Sequence, residues 1–410
     1  MLGPSGLHSI QSYLIRRQPA MLALLRRLVE MESPSLDKAA VDRIGLYVAE
    51  CWRRQGARVE ILRQPKRGNH VRAELFPCGP SVTKSGKPAP PEAFAPIYRG
   101  KGRSAPARQI LVIGHLDTVY PLGTLRKMPF RVRGNRAYGP GTMDMKAGIV
   151  ITLFAAEALQ KLGDRVAQRL VFLFTSDEEI GSESSRRTIE AEARKSAAVL
   201  VVEPANGLTG QLKTARKGVG EIEMRVTGRA AHAGADFEKG RSAVLELARQ
   251  ILKIQNFTEP ARGITVNVGV ISGGTRSNVV AAEATALVDL RLRRPADRER
   301  IERKFHSLRP TTPDFKLEVR GGLNRPPLER TPGVVRLFRL ARQLGANMGL
   351  RLEEASVGGG SDGNFTAALG IPTLDGLGGV GEAAHSPNEF VVMDSLPERA
   401  TLLAGLLASI

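Results

Sequence analysis

The sequence predicts an α/β protein whose main sheet is interrupted by an inserted α+β domain. Three observations carry that expectation. Apolar runs of strand length alternate with helix-periodic stretches. The texture changes near Gly210 to half-exposed strands and amphipathic helices, then returns after about residue 324. The three clearest strands each end in histidine or acidic residues, the pattern expected where an open α/β sheet binds its ligand beyond the carboxyl ends of its strands.

Taken in order, residues 1–33 read as an amphipathic helix, since Arg16, Arg17, Arg26 and Arg27 break the apolar run that a signal peptide would need. A second helix follows in "VDRIGLYVAECWRRQG" and holds Cys51 as a small apolar residue. The Pro-, Gly-, Ser- and Lys-rich stretch 78–108 reads as a surface loop or insertion. Strands are expected in "QILVIGHLD" (109–117), "RLVFLFTSDE" (169–178) and "AAVLVVEP" (197–204), with helices in "KAGIVITLFAAEALQKL" and "SSRRTIEAEARKS". From "GVGEIEMRVTG" to "DFKLEVRGG" the order is β-α-β-β-α-β, which suggests an antiparallel sheet with two helices on one face. The expected division is therefore a catalytic domain of 1–212 and 324–410 carrying an inserted domain at 213–323.

Bulk composition narrows the function classes. A chain of 410 residues with 42% hydrophobic content can bury a large core. Two cysteines, Cys51 and Cys78, make neither a disulfide framework nor a thiolate metal spacing. No apolar stretch is long enough to span a membrane, so a cytoplasmic protein without membrane partners is expected. The net charge of +19 invites a nucleic-acid reading, but the 60 Lys and Arg are spread along the chain and aromatics make up only 5%. A single-strand binder interleaves its cations with stacking rings, so no nucleic-acid partner is expected. Positive potential can still steer an acidic small substrate.

The chemistry lies at the strand ends. His115 and Asp117 are two apart, and on an extended segment both project to one side. That suits a ligating imidazole oriented by a carboxylate. Asp144 follows a Gly-rich turn in "AYGPGTMDMKAG", where its bland reading is a helix N-cap. Glu178 and Glu179 end the second strand and Glu203 the third. Several carboxylates gathered in low dielectric cannot all ionise without a cation, and this set calls for roughly two divalent ions. Mixed His and carboxylate donors fit zinc, with Co²⁺ or Mn²⁺ as substitutes. Of the six histidines, His8 and His70 read as terminal or loop residues and His306 as part of a charged helix, all solvated. His385, in "GEAAHSPNEF", is the natural further ligand.

The segments "GHLDTVYP", "AYGPGTMDMKAG", "TSDEEIGS", "VVEP", "GRAAHAG", "GGGSDG" and "AAHSPNEFV" resemble, in the same order, those of the dinuclear zinc exopeptidases. That superfamily includes glutamate carboxypeptidases, acetylornithine deacetylases and succinyl-diaminopimelate desuccinylases. "HLDTVYP" with "FRVRGNRAYGPG" looks most like the glutamate carboxypeptidase branch, whereas Met145 after Asp144 is as in the deacetylase branch. The resemblance implies a zinc-exopeptidase-like mixed sheet flanked by helices, and a ferredoxin-like insert that serves as a dimerisation domain. It implies that Asp144 bridges two zinc ions, with His115 and Glu203 on one and Glu179 and His385 on the other. Asp117 would orient His115, and Glu178 would act as general base on a metal-activated water. It further implies that His232, in "GRAAHAG", stabilises the oxyanion across a homodimer. Asn278, Arg325, Arg291, Gly359 and Gly360 would contact the substrate, with Arg325 clamping a free carboxylate as a planar bidentate donor.

The function expected on these grounds is hydrolysis of an N-acyl amino acid or short peptide, with release of a C-terminal amino acid such as glutamate. An N-acyl-amino-acid deacylase is the alternative within the same chemistry, and a metal-free binding relative is a remote one. Residues 358–363 also spell G-x-G-x-x-G. A lone match late in the chain, without an acidic partner about 20 residues on, is weak support for a dinucleotide enzyme.

Overall fold

The computed structural model describes residues 3–75, 109–162, 166 and 168–410, so Cys78 and the 78–108 insertion lie outside the described residues. The chain separates into two compact units. The first comprises Met1–Thr214, Arg330–Ala355 and Phe365–Ile410, the second Ala215–Glu329 and Ser356–Asn364. Residues 356–364, which the sequence assigns to the returning catalytic segment, group with the second unit.

The first unit is built on a six-stranded mixed sheet. In spatial order its strands are Arg58–Leu62, His70–Leu75, Arg169–Thr175, Gln109–His115, Ala198–Val201 and Thr373–Leu374. The first two pairings are antiparallel and the remaining three parallel. Every residue of Gln109–His115 is buried, as a parallel strand covered on both faces requires, and this explains its unbroken apolar run. Alternate residues feed two cores. Ile110, Val112, Phe172 and Phe174 pack with the helices Pro4–Val29, Lys38–Arg54, Ala147–Lys161, Pro332–Asn347 and Ser395–Ser409. Leu111, Ile113, Val171 and Leu173 pack with Ile189, Ala193 and Phe365 on the other face. Trp52 stacks on Phe172 with ring centroids 4.3 Å apart.

A smaller antiparallel sheet matters more for the site. Its order is Gly381–Glu382, Phe390–Val392, Arg136–Tyr138 and Arg131–Arg133. The register Phe390↔Tyr138 brings the chain just before Phe390 beside the Gly-rich turn that follows Tyr138.

The second unit is a four-stranded antiparallel sheet in the order Thr265–Gly273, Glu283–Leu292, Gly218–Thr227, Lys316–Arg325, with helices Ala243–Gln255 and Arg298–His306. Its chain order is the β-α-β-β-α-β read from the sequence. Gly218–Thr227 alternates buried and open positions along its length, because one face packs on the helices and the other does not. Among the described residues no helix is long and apolar enough to cross a membrane.

Candidate metal centre

The strand Gln109–His115 delivers a buried imidazole, and the residues after it turn back to hold that ring. His115 Nδ1 lies 2.9 Å from the backbone carbonyl of Asp117 and 3.5 Å from its Oδ1. The nearer orienting partner is therefore the carbonyl of Asp117. Its carboxylate has further work: Oδ2 accepts from Ser35 Oγ at 2.7 Å, and the two oxygens accept from the amides of Glu178 and Glu179 at 3.2 Å each. Asp117 thereby ties the His115 strand to the turn that carries both glutamates.

Asp144 is not the N-cap its sequence position invites. The helix Ala147–Lys161 starts after it, with Lys146 at the N-cap, and Asp144 has the non-helical angles φ −111° and ψ 95°. Its carboxylate is shared between two imidazoles. Oδ1 lies 3.2 Å from His115 Nε2, and Oδ2 lies 3.3 Å from His385 Nε2. His115 Nε2 is also 3.5 Å from Glu203 Oε1, and His385 Nε2 is 3.2 Å from Glu179 Oε2. Two half-sites, each an imidazole and a carboxylate, thus meet at one bridging aspartate. Glu178 reaches the first half-site: its oxygen, a His115 nitrogen and a Glu203 oxygen lie within 4.8 Å of one another. His385 is held at φ +61°, a conformation costly for a non-glycine residue and concentrated at functional sites.

The electrostatics of the cluster point to a cation. Burial pulls the His115 pKa down, but contacts with Asp117, Asp144 and Glu203 outweigh it and raise it well above the ordinary imidazole value. Hydrogen bonds to Asp144 and Glu179 push His385 up to about 10. Burial opposes ionisation of Asp144, yet the two histidines hold its carboxyl far below the usual range. Glu179 is raised, first by burial, and its Oε1 is buried without a hydrogen-bond partner among the described residues. Carboxylates that draw protons onto both imidazoles, together with an orphaned buried oxygen, are what a divalent cation would relieve. His, Asp and Glu donors from five chain segments suit such a cation.

Two residues missed or misread in the sequence hold the cluster in shape. Glu389 accepts from the backbone amides of Gly141 (3.0 Å), Met143 (2.8 Å) and Asp144 (3.0 Å), and from Tyr120 Oη at 2.6 Å. It clamps the Asp144 turn to the segment that bears His385. Its position four residues after His385 in "HSPNEF" was the available signal, but nothing in a linear reading links an acid to a turn some 250 residues away. His70, expected as a solvated loop residue, is instead fully buried in the strand His70–Leu75. Its Nδ1 lies 2.9 Å from Ser176 Oγ and its Nε2 3.4 Å from Ser184 Oγ, and that hydroxyl donates to Asp177 Oδ2 at 2.7 Å. A buried polar ring needs such partners, and here they brace the turn leading into Glu178.

The remaining predicted residues belong to the second unit. His232 is exposed and accepts at Nδ1 from the amides of Gly234 and Ala235, each at 3.1 Å. An Nδ1 that accepts two amides leaves Nε2 as the ring's donor atom. Asn278 is exposed on the neighbouring chain segment, where its carbonyl accepts from the Ala233 amide at 3.0 Å. Arg325 is buried, 3.3 Å from Asp362 Oδ1. Arg291 is engaged bidentately by Asp289, at 2.8 and 2.8 Å. The carbonyls of Gly359 and Gly360 accept from Arg216 Nη1 at 3.2 and 3.0 Å.

A family model described as "Peptidase family M20/M25/M40" matches residues 111–409. The chain therefore belongs to that family and is a hydrolase of the metallopeptidase class. Among individual relatives it is 31% identical over 399 residues to carboxypeptidase G2 of Pseudomonas sp. (strain RS-16), covering 95% of this chain and 89% of that one. It is 26% identical over 330 residues to succinyl-diaminopimelate desuccinylase of Dechloromonas aromatica, covering 76% and 85%. The fold is also that of an M20 family metallo-carboxypeptidase from Sulfolobus solfataricus, with TM-score 0.69 and 18% identity over 95% of this chain and 98% of the other.

Proposed function

We propose that this protein is a dinuclear zinc carboxypeptidase that hydrolyses the amide bond of an N-acyl amino acid or short peptide and releases a C-terminal amino acid such as glutamate. The observation that carries the reading is the Asp144 carboxylate, with one oxygen facing His115 beside Glu203 and the other facing His385 beside Glu179. His115, Asp144 and Glu203 would hold one ion, and Glu179, Asp144 and His385 the other. Bound zinc supplies Lewis acidity toward the scissile carbonyl and lowers the pKa of water. Glu178, beside His115 and Glu203, takes the proton of the attacking water and returns it to the leaving nitrogen. Asp117 keeps the His115 ring and the Glu178–Glu179 turn in register. His232, whose Nδ1 accepts two backbone amides, is assigned to the oxyanion, Arg325 to the substrate carboxylate and Asn278 to a further substrate contact. Arg291, Gly359 and Gly360 are assigned to supporting contacts. The second unit carries exposed Val270 and Ile271 on the edge strand Thr265–Gly273, with Leu245 and Leu252 exposed on its helix, a surface suited to homodimer formation.

The similarity to carboxypeptidase G2 favours release of a C-terminal residue, and the similarity to a desuccinylase keeps deacylation as the second reading. The deciding experiment counts bound metal and assays N-acyl amino acids and dipeptides with zinc-loaded, chelated and Glu178→Gln protein. Two ions per chain, turnover lost in both controls and metal retained in Glu178→Gln support the assignment. Full turnover in Glu178→Gln removes its general base.

A further inference from the structure

The helix Ser395–Ser409 carries a buried cation that the proposed chemistry does not use. Arg399 is 2% exposed, and its guanidinium donates to three backbone carbonyls. Nε reaches Gly378 at 3.1 Å, Nη1 reaches Gly210 at 3.1 Å, and Nη2 reaches Gly376. Burial pulls its pKa down to about 10, although the Glu398 charge opposes that shift. A buried charge met only by neutral carbonyls is costly. What such a group supplies is geometry, because one rigid planar fork fixes several points of the chain at once.

Those points flank Glu203. The chain at 372–379 runs beside the strand Ala198–Val201 and continues past its end. The Val199 amide donates to the Pro372 carbonyl at 2.8 Å, the Leu377 amide to Val201 at 3.1 Å and the Gly378 amide to Glu203 at 2.8 Å. The Ala205 amide then donates to the Gly379 carbonyl at 3.0 Å. Gly378 is thus joined to Glu203 through its amide and to Arg399 through its carbonyl. The approach is close: a Cβ on Gly378 would lie 2.2 Å from the Val202 carbonyl oxygen and 2.8 Å from that of Glu203. Just after Glu203, Asn206 and Gln211 exchange backbone hydrogen bonds of 2.9 and 3.1 Å, and Gly210 in that turn offers the third carbonyl. Other groups hold the remaining ligands: Glu389 holds the Asp144 turn, and Asp117 holds the turn of Glu178 and Glu179.

We propose that Arg399 is a positioning residue of the metal centre. It sets where Glu203 stands, and so governs the affinity of the ion held by His115, Asp144 and Glu203 while sparing the ion at Glu179 and His385. The proposal rests on the dinuclear reading given above. The test is calorimetric zinc titration of wild type, Arg399→Lys, Glu203→Ala, Glu179→Ala, and each of the last two combined with Arg399→Lys. Lysine keeps the charge but lacks the planar fork. Arg399→Lys should weaken one of the two ions by about tenfold or more and leave the other unmoved. Its effect should persist in the Glu179→Ala background and vanish in the Glu203→Ala background, as expected of residues that act through one contact. A lower melting temperature with both affinities unmoved, or an equal loss in the Glu203→Ala background, overturns the assignment. Hydrogen exchange on wild type serves if Arg399→Lys does not fold. Zinc should slow the Gly378 amide more than the amides of the helix Lys38–Arg54, which bears no candidate ligand, and equal slowing overturns the assignment. Wild type that binds fewer than two ions overturns the dinuclear reading and this role with it. Two ions in wild type, with Arg399→Lys unchanged, overturn the role of Arg399 alone.

Discussion

At the scale of single residues, the centre depends on groups beyond its candidate ligands. Glu389 satisfies three backbone amides and a phenol at once. Replacing it by Gln turns one acceptor into a donor facing N–H groups, which leaves buried partners unmet at about 1–3 kcal/mol. Glu389→Gln should lower metal affinity by about 10–100-fold, the usual cost of losing a ligand's support, and Tyr120→Phe should cost less; metal titration by calorimetry reads both. His385 gives the pH dependence. Its folded pKa of about 10 lies above the unfolded value of about 6.5. The stability it contributes is therefore fully present below about pH 6.5 and is lost as pH rises through about 10. Chelated protein should show a melting temperature that falls across that window, and zinc-loaded protein should not, because the ion replaces the proton. By the same linkage, metal binding should release protons at pH 7.

At the scale of elements, the helix Ala147–Lys161 fixes how far the Asp144 turn stands from the Glu203 strand. Gly148 is its close point: a Cβ there would lie 2.2 Å from the Val202 carbonyl oxygen, a backbone atom with little room to yield. Gly148→Ala should destabilise by about 1–3 kcal/mol through overpacking, and should weaken zinc binding as Asp144 and Glu203 move apart. Denaturant midpoint and metal titration measured together check this, and a loss of stability with unchanged affinity would mean that the centre absorbs the shift. The same element explains a misreading that sequence invites. An aspartate just before a helix looks like a cap, but Asp144 and Met145 both have non-helical angles, and Lys146 takes the N-cap position. The side chain is thereby freed to face two imidazoles.

At the scale of the whole molecule, the division of labour follows the two units. All six residues of the metal cluster come from the first unit, and His232, Asn278, Arg291, Arg325, Gly359 and Gly360 from the second. The homodimer proposal belongs at this level. Wild type should sediment at about twice its 44.3 kDa chain mass, and Ile271→Asp, which charges an exposed edge position, should shift it toward monomer. A monomeric wild type would remove the assignment of His232 to a partner's site.

The order of elements and the chemistry at the ends of three strands were legible in the sequence alone. Buried parallel strands need unbroken apolar runs, and ligating residues placed just after them stand out against that background. The sequence thus determined the mixed α/β class, the β-α-β-β-α-β insert and a candidate ligand set of His115, Asp144, Glu179, Glu203 and His385. Only the tertiary structure decided which of these face one another, and which buried groups support them. Glu389 and His70 act through partners far along the chain or inside the sheet. Local spacing encodes periodicity and direction along one element, whereas these contacts arise from register and packing between elements.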